Sequence, residues 1–149
     1  QQIGEDKPTH VFLQAGVGSM AGAIAAFMAD YYGGDCPIIT IVEPTKADCI
    51  FRTAEANDGK LHFVTDKMDS IMAGLCCGEP CTIAWEIVSG ESGASCFGLV
   101  VEVLQDKELA WLKEQLGLNS ESKILCISTE GDTDKANYRS IVWDGAYHK

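Results

Sequence analysis

Positive charge is scarce in this sequence. Its 149 residues carry 11 Lys and Arg against 22 Asp and Glu, a formal net charge of −11, and a surface of that sign repels a nucleic-acid backbone and an anionic membrane alike. Neither is expected as a partner. Long apolar runs are missing too. The longest, residues 21–29, contains a glycine, falls well short of a bilayer span and has no basic segment before it. The chain reads as soluble, untargeted and cytoplasmic. A disulfide framework is also lacking, because seven cysteines are an odd number and they stand in apolar company, Cys49 before Ile50 and Cys126 between Leu125 and Ile127. Reduced thiols of a cytosolic protein fit that pattern. Cys76, Cys77 and Cys81 cluster, but no second cysteine pair follows at finger spacing and His10 and His62 are remote, so they read as thiols and not as metal ligands. No repeat or low-complexity segment occurs.

What is present is apolar content of 46% over a length suited to one core, which predicts a single domain spanning 1–149. Residues 9–14, THVFLQ, form a β-rich run that ends in Ala15-Gly16-Val17-Gly18 and passes into a small-residue helical stretch over 19–32. Gly33-Gly34-Asp35 stops that helix, and the apolar run 37–42, PIITIV, reads as a strand buried on both faces. Such a strand–helix–strand unit implies parallel pairing with a right-handed crossover. Further helices are expected over 46–54, 69–75, 93–104 and 107–116, and a third buried strand over 123–128. Alternating strands and helices define an α/β domain with a mostly parallel sheet between helical layers, a three-layer αβα arrangement.

Three motifs carry chemistry. Gly16-Val17-Gly18-Ser19-Met20 follows a strand and opens a helix, where main-chain N–H groups and the positive helix end can hold a phosphate dianion. The same spacing satisfies the G-x-G-x-x-A form of the dinucleotide fingerprint, and Glu43 after the next strand could serve as its ribose-binding acid. A tight turn with no ligand is the plainer alternative. The second motif, Ser89-Gly90-Glu91-Ser92-Gly93-Ala94, is a small-residue turn before a helix, or simply an N-capped helix start. In the third, Ile127-Ser128-Thr129-Glu130-Gly131-Asp132, hydroxyls stand at the carboxyl end of a strand, the edge at which ligands bind in open parallel sheets. A local Asp and Thr turn is the alternative there.

Taken in order, PTHVFLQAGVGSMAG, IVEPTKADCIFR, IMAGLCCGEP with AWEI, SGESGA, and ISTEGDTD with YRSIVWDG resemble the C-terminal half of the diaminopropionate ammonia-lyases, over nearly the whole chain. The resemblance implies a tryptophan synthase β-like, fold-type II pyridoxal 5'-phosphate enzyme. Such an enzyme cleaves 2,3-diaminopropionate, a small amino-acid substrate, to pyruvate and ammonia as a homodimer. It assigns the phosphate loop to Gly16, Val17, Gly18, Ser19 and Met20, the hydroxyl partner of the pyridine nitrogen to Ser128 or Thr129, and a position near the cofactor ring to Glu91. A hydroxyl there does not hold a proton on the ring as a carboxylate would, which favours elimination over transamination.

Two departures follow from the same resemblance. The family's Schiff-base lysine and substrate-carboxylate loop belong to its N-terminal half, and no lysine here matches that motif, so no catalytic residue is assigned and this chain by itself is expected to be inactive. The family also carries further residues between AWEI and SGESGA, whereas here Ile87 runs directly into Val88. The chain is expected to be part of a longer enzyme, with its N-terminal half as partner and a segment missing between 87 and 88. The competing readings are a serine or threonine dehydratase, a nicotinamide-binding domain and a noncatalytic piece that keeps the fold.

Overall fold

The computed structural model describes residues 7–81 and 94–127. Three parallel strands form its sheet: β1 (His10–Gln14), β2 (Ile38–Val42) and β3 (Ile124–Cys126), in the order β2-β1-β3. Register pairs Val11 with Ile39 and Leu125, and Phe12 with Thr40 and Cys126. The strand run, glycine turn and helix read from the sequence are all present, with helix α1 spanning Ser19–Tyr32.

Alternation along β1 distributes its side chains to two helical layers. Val11 and Leu13 pack on Ala21 and Met28 of α1. Phe12 faces the other way, onto Cys96, Val100 and Val103 of α3 (Ala94–Gln105) and onto Leu118, with Leu112 and Leu116 from α4 (Ala110–Gln115) and its end completing the cluster. Helices on both faces of a parallel sheet confirm the expected α/β class. Phe12 is fully buried, and truncation to Ala would cost about 3–5 kcal/mol.

A third cluster joins Ala15, just past β1, to Cys49 and Ile50 of α2 (Cys49–Ala56) and to Val64. On the α4 side, His10 is buried with its Nε2–H donating to the Leu116 carbonyl at 2.8 Å and its Nδ1 2.8 Å from the Thr9 hydroxyl. The Leu116 carbonyl can only accept, so Nε2 carries a proton, while the Thr9 hydroxyl donates to the Lys123 carbonyl at 3.2 Å.

Five sequence expectations are corrected. The strand over 37–42 is not buried on both faces: it lies at the edge of the described sheet, and Ile38 is 50% exposed, because the central position belongs to β1. No helix covers 69–75, where one 3₁₀ turn, Ala73–Leu75, is the only regular structure. Tertiary contact overrides the helical pattern there: Val64 N–H donates to the Gly78 carbonyl at 2.8 Å, and Gly78 lies so close under Val64 that a Cβ would strike the Val64 carbonyl oxygen. The helix expected over 46–54 begins only at Cys49, and that over 107–116 divides into a 3₁₀ turn, Lys107–Leu109, followed by α4. β3 is half-buried where a buried strand was expected. No described helix is long and apolar enough to cross a membrane.

Candidate cofactor site

Because the three strands are parallel, their carboxyl ends share one edge, where Gln14 leads into the glycine turn, Val42 into Glu43, and Cys126 into Ile127. The Ala15 N–H donates to the Val42 carbonyl at 2.8 Å, which keeps the start of the turn on the sheet. Gly18 then adopts φ 97°, a left-handed conformation that costs a residue with a Cβ about 1–2 kcal/mol. This reversal sends the chain into α1.

The loop's carbonyl groups face protein. Gly16 O accepts from the Cys49 thiol at 3.6 Å, and Val17 O accepts from the Cys81 N–H at 2.7 Å. No side chain caps the N-terminus of α1, no acidic residue lies in its first turn, and Ser19 is exposed beside half-buried Met20. First-turn N–H groups of a helix have no partner within it, and the macrodipole favours an anion at that end. The donor set therefore fits a phosphate dianion.

Gly16 has a different reason for lacking a side chain. A Cβ there would sit 3.1 Å from Cys77 Sγ and 3.3 Å from the Gly74 carbonyl oxygen, so the close approach is to the 73–77 turn and not to a ligand. The two glycines of the motif thus do separate work: Gly16 admits a neighbouring turn and Gly18 permits the backbone reversal.

Glu43, the alternative ribose-binding acid, is already occupied. Its Oε1 accepts from the Ile50 N–H at 3.0 Å and its Oε2 from the Phe51 N–H at 2.8 Å, so it anchors the first turn of α2. Burial raises its pKa above the usual carboxylate value, and the two N–H groups partly offset that. A shallow depression beside it is lined by Ile41, Thr45, Asp48 and Phe51. This use of both carboxylate oxygens removes the feature that supported a nicotinamide-binding reading.

Among the described residues no group of three His, Cys, Asp or Glu is placed to hold a metal ion. The Cys76 thiol instead donates to the Met72 carbonyl at 3.6 Å, and His62 pairs with Asp58 at 3.1 Å. Glu91, Ser128 and Thr129 lie outside the described residues, as does the join between 87 and 88.

One residue at this edge was missed from sequence. Gln14 is fully buried, its Nε2 donates to the Ile127 carbonyl at 3.0 Å, and its Oε1 accepts from the Cys96 thiol at 3.2 Å. The available signal was an amide closing an otherwise apolar strand core one residue before the glycine turn.

No protein-family model matches the chain. Diaminopropionate ammonia-lyase of Escherichia coli K12 is 39% identical over 173 residues, covering 94% of this chain and 43% of the relative, and that of Salmonella typhimurium LT2 is 37% identical over 172. The chain is homologous to diaminopropionate ammonia-lyase. It spans under half the length of these relatives, and the matched stretch of 173 residues exceeds the 149 of the whole chain. The crystal structure of the holo E. coli lyase superposes with a TM-score of 0.82 at 37% identity, covering 97% of this chain and 44% of that one. The E. coli lyase with an aminoacrylate-PLP azomethine reaction intermediate gives 0.79 at 36% identity, covering 94% and 43%.

Proposed function

We propose that this chain is the cofactor-holding, C-terminal half of a pyridoxal-phosphate lyase that eliminates ammonia from 2,3-diaminopropionate to leave pyruvate. The observation that carries the reading is the left-handed turn at Gly18 opening an uncapped, acid-free helix at the carboxyl edge of the sheet, in a chain that matches lyases of this name over 94% of its length. When bound, pyridoxal phosphate supplies the electron sink for loss of the α proton and the β amino group.

The chain's own part is to bind and orient. Main-chain N–H groups of Gly16, Val17, Gly18, Ser19 and Met20 hold the phosphate, Ser128 or Thr129 presents a hydroxyl to the pyridine nitrogen, and Glu91 stands near the ring. Fixing both ends of the group sets its plane before substrate arrives, which is where positioning lowers a barrier. No lysine of this sequence matches the family's lysine motif, so the amine that anchors the cofactor and the contacts to the substrate carboxylate are assigned to the remainder of the enzyme. A matched stretch longer than this chain supports residues carried by the relatives and missing here, which we assign to the join between 87 and 88. We also assign a cytoplasmic, homodimeric enzyme. Phe27 and Tyr31, exposed on α1 and stacked at 5.7 Å, offer apolar surface for the rest of the enzyme or a second subunit to cover.

The test is ammonia release from 2,3-diaminopropionate, with pyridoxal phosphate present, by this polypeptide alone and by the polypeptide joined to its N-terminal half. Turnover is expected only from the joined form. Turnover by the 149-residue chain alone, abolished by replacing one of its own lysines, would overturn the division of labour.

A further inference from the structure

Gln14 occupies an unusual position for an amide. It ends the central strand with no exposure to solvent, and a buried amide without partners is costly. Both of its polar atoms are engaged, and each partner belongs to a different element of the cofactor edge. Nε2–H donates to the carbonyl of Ile127, the residue before Ser128. Oε1 accepts from the thiol of Cys96 in the first turn of α3, the helix that begins three residues after Glu91 in sequence. Its own backbone leads directly into the glycine loop.

The ladder between β1 and β3 ends at the Phe12–Cys126 pair. The Gln14 side chain therefore continues the tie between the two strands one residue beyond the last paired residue of β3, at Ile127, which immediately precedes Ser128 in sequence. We propose that Gln14 is a positioning residue that sets the spacing between the phosphate loop and the ring-nitrogen hydroxyl. This rests on the proposed function, since only a ligand held at both ends makes that spacing matter. A longer or looser gap would let the phosphate remain bound while the ring tilted away from its hydroxyl.

Two variants separate the contacts. Gln14→Met keeps the length and removes the hydrogen bonds to Ile127 and Cys96, whereas Gln14→Glu keeps the Oε1 acceptor for Cys96 and, when ionised, loses the donor to Ile127. They are made in the enzyme containing this chain and its N-terminal half. Amide hydrogen exchange is followed without cofactor, and the absorption and emission spectra and dissociation constant of added pyridoxal phosphate are then measured across pH. Losing one such hydrogen bond should speed exchange at residues 126–129 by roughly 3- to 10-fold, leaving β2 unchanged. The bound cofactor's spectrum should shift in both variants, with kcat falling more than KM changes. In Gln14→Glu the shift should fade at low pH, where the protonated acid can again donate to the Ile127 carbonyl.

Unchanged exchange at 126–129 together with an unchanged spectrum, in variants that bind the cofactor, would overturn the assignment. Should Gln14→Met fail to fold, the pH-dependent spectrum of Gln14→Glu decides the question. Failure of the proposed function shows instead in the unmodified enzyme, as absence of cofactor binding.

Discussion

Replacing Gly16 by Ala probes the packing beneath the glycine turn. The added Cβ would meet Cys77 Sγ at 3.1 Å, the Gly74 carbonyl oxygen at 3.3 Å and Leu75 Cα at 3.4 Å. Ordinary contact begins near the last of these, so the first two neighbours must give by a few tenths of an ångström. Sulfur can move by rotation about one bond, but the other two atoms belong to the backbone of a turn wedged against the sheet. Leu75, at the end of that turn, is itself fully buried. Inserting one methyl group into such a site costs about 1–3 kcal/mol. For a chain of this size that lowers the melting temperature by about 2–4 °C per kcal/mol. Urea denaturation followed by circular dichroism should show a lower midpoint at unchanged slope. A double-mutant cycle with Cys77→Ala adds a sharper requirement: removing Sγ should recover about 0.5–1 kcal/mol of the loss and leave the part caused by Gly74. A loss below about 0.5 kcal/mol, in the range of ordinary surface changes, would refute the packing argument, and so would a cycle with no coupling.

Thr40 Oγ1 is buried without a hydrogen-bond partner among the described residues, so Thr40→Val should stabilise the fold by about 1 kcal/mol, seen as a higher urea midpoint. Burial, reinforced by the Glu43 carboxylate, pushes the Cys49 thiol up to about 11. The unfolded thiol ionises first as pH rises past about 9, so stability should decline between about pH 9 and 11, by about 2–3 kcal/mol from this group. Cys49→Ala should flatten that decline in a series of urea titrations, and an unchanged pH slope would contradict the assignment. Glu43→Ala removes both acceptors at the start of α2 and should cost about 1–2 kcal/mol, with hydrogen exchange rising first at Ile50 and Phe51.

The path from sequence to structure was clearest where local pattern and tertiary demand agree. Residues 9–32 combine a β-rich run, a glycine turn and an unbroken small-residue helix, and the structure follows all three. β2 shows where that agreement ends: its run of Ile and Val correctly marks a strand, but composition cannot say whether a strand lies centrally or at an edge. The 69–75 segment carries a helical pattern and yields one short turn, because its backbone packs against Gly16 and is followed by the Val64–Gly78 contact. Both contacts join residues far apart in sequence. Glu43 illustrates the same limit at the site: a carboxylate after a strand suits a ribose hydroxyl, and only the fold reveals that it caps a helix beginning six residues later. Gln14 was passed over because its value lies in partners more than 80 residues away.

Pyridoxal phosphate is expected to touch this chain first at the glycine turn, residues 16–20. Amide ¹H–¹⁵N spectra of the polypeptide, recorded during titration with pyridoxal phosphate and separately with pyridoxal, measure that contact residue by residue. The predicted result is that pyridoxal phosphate shifts the amides of residues 16–20 more than any others, and that pyridoxal, lacking the phosphate, leaves them in place. Shifts centred on the Glu43 and Phe51 depression, or equal responses of residues 16–20 to both compounds, would contradict it.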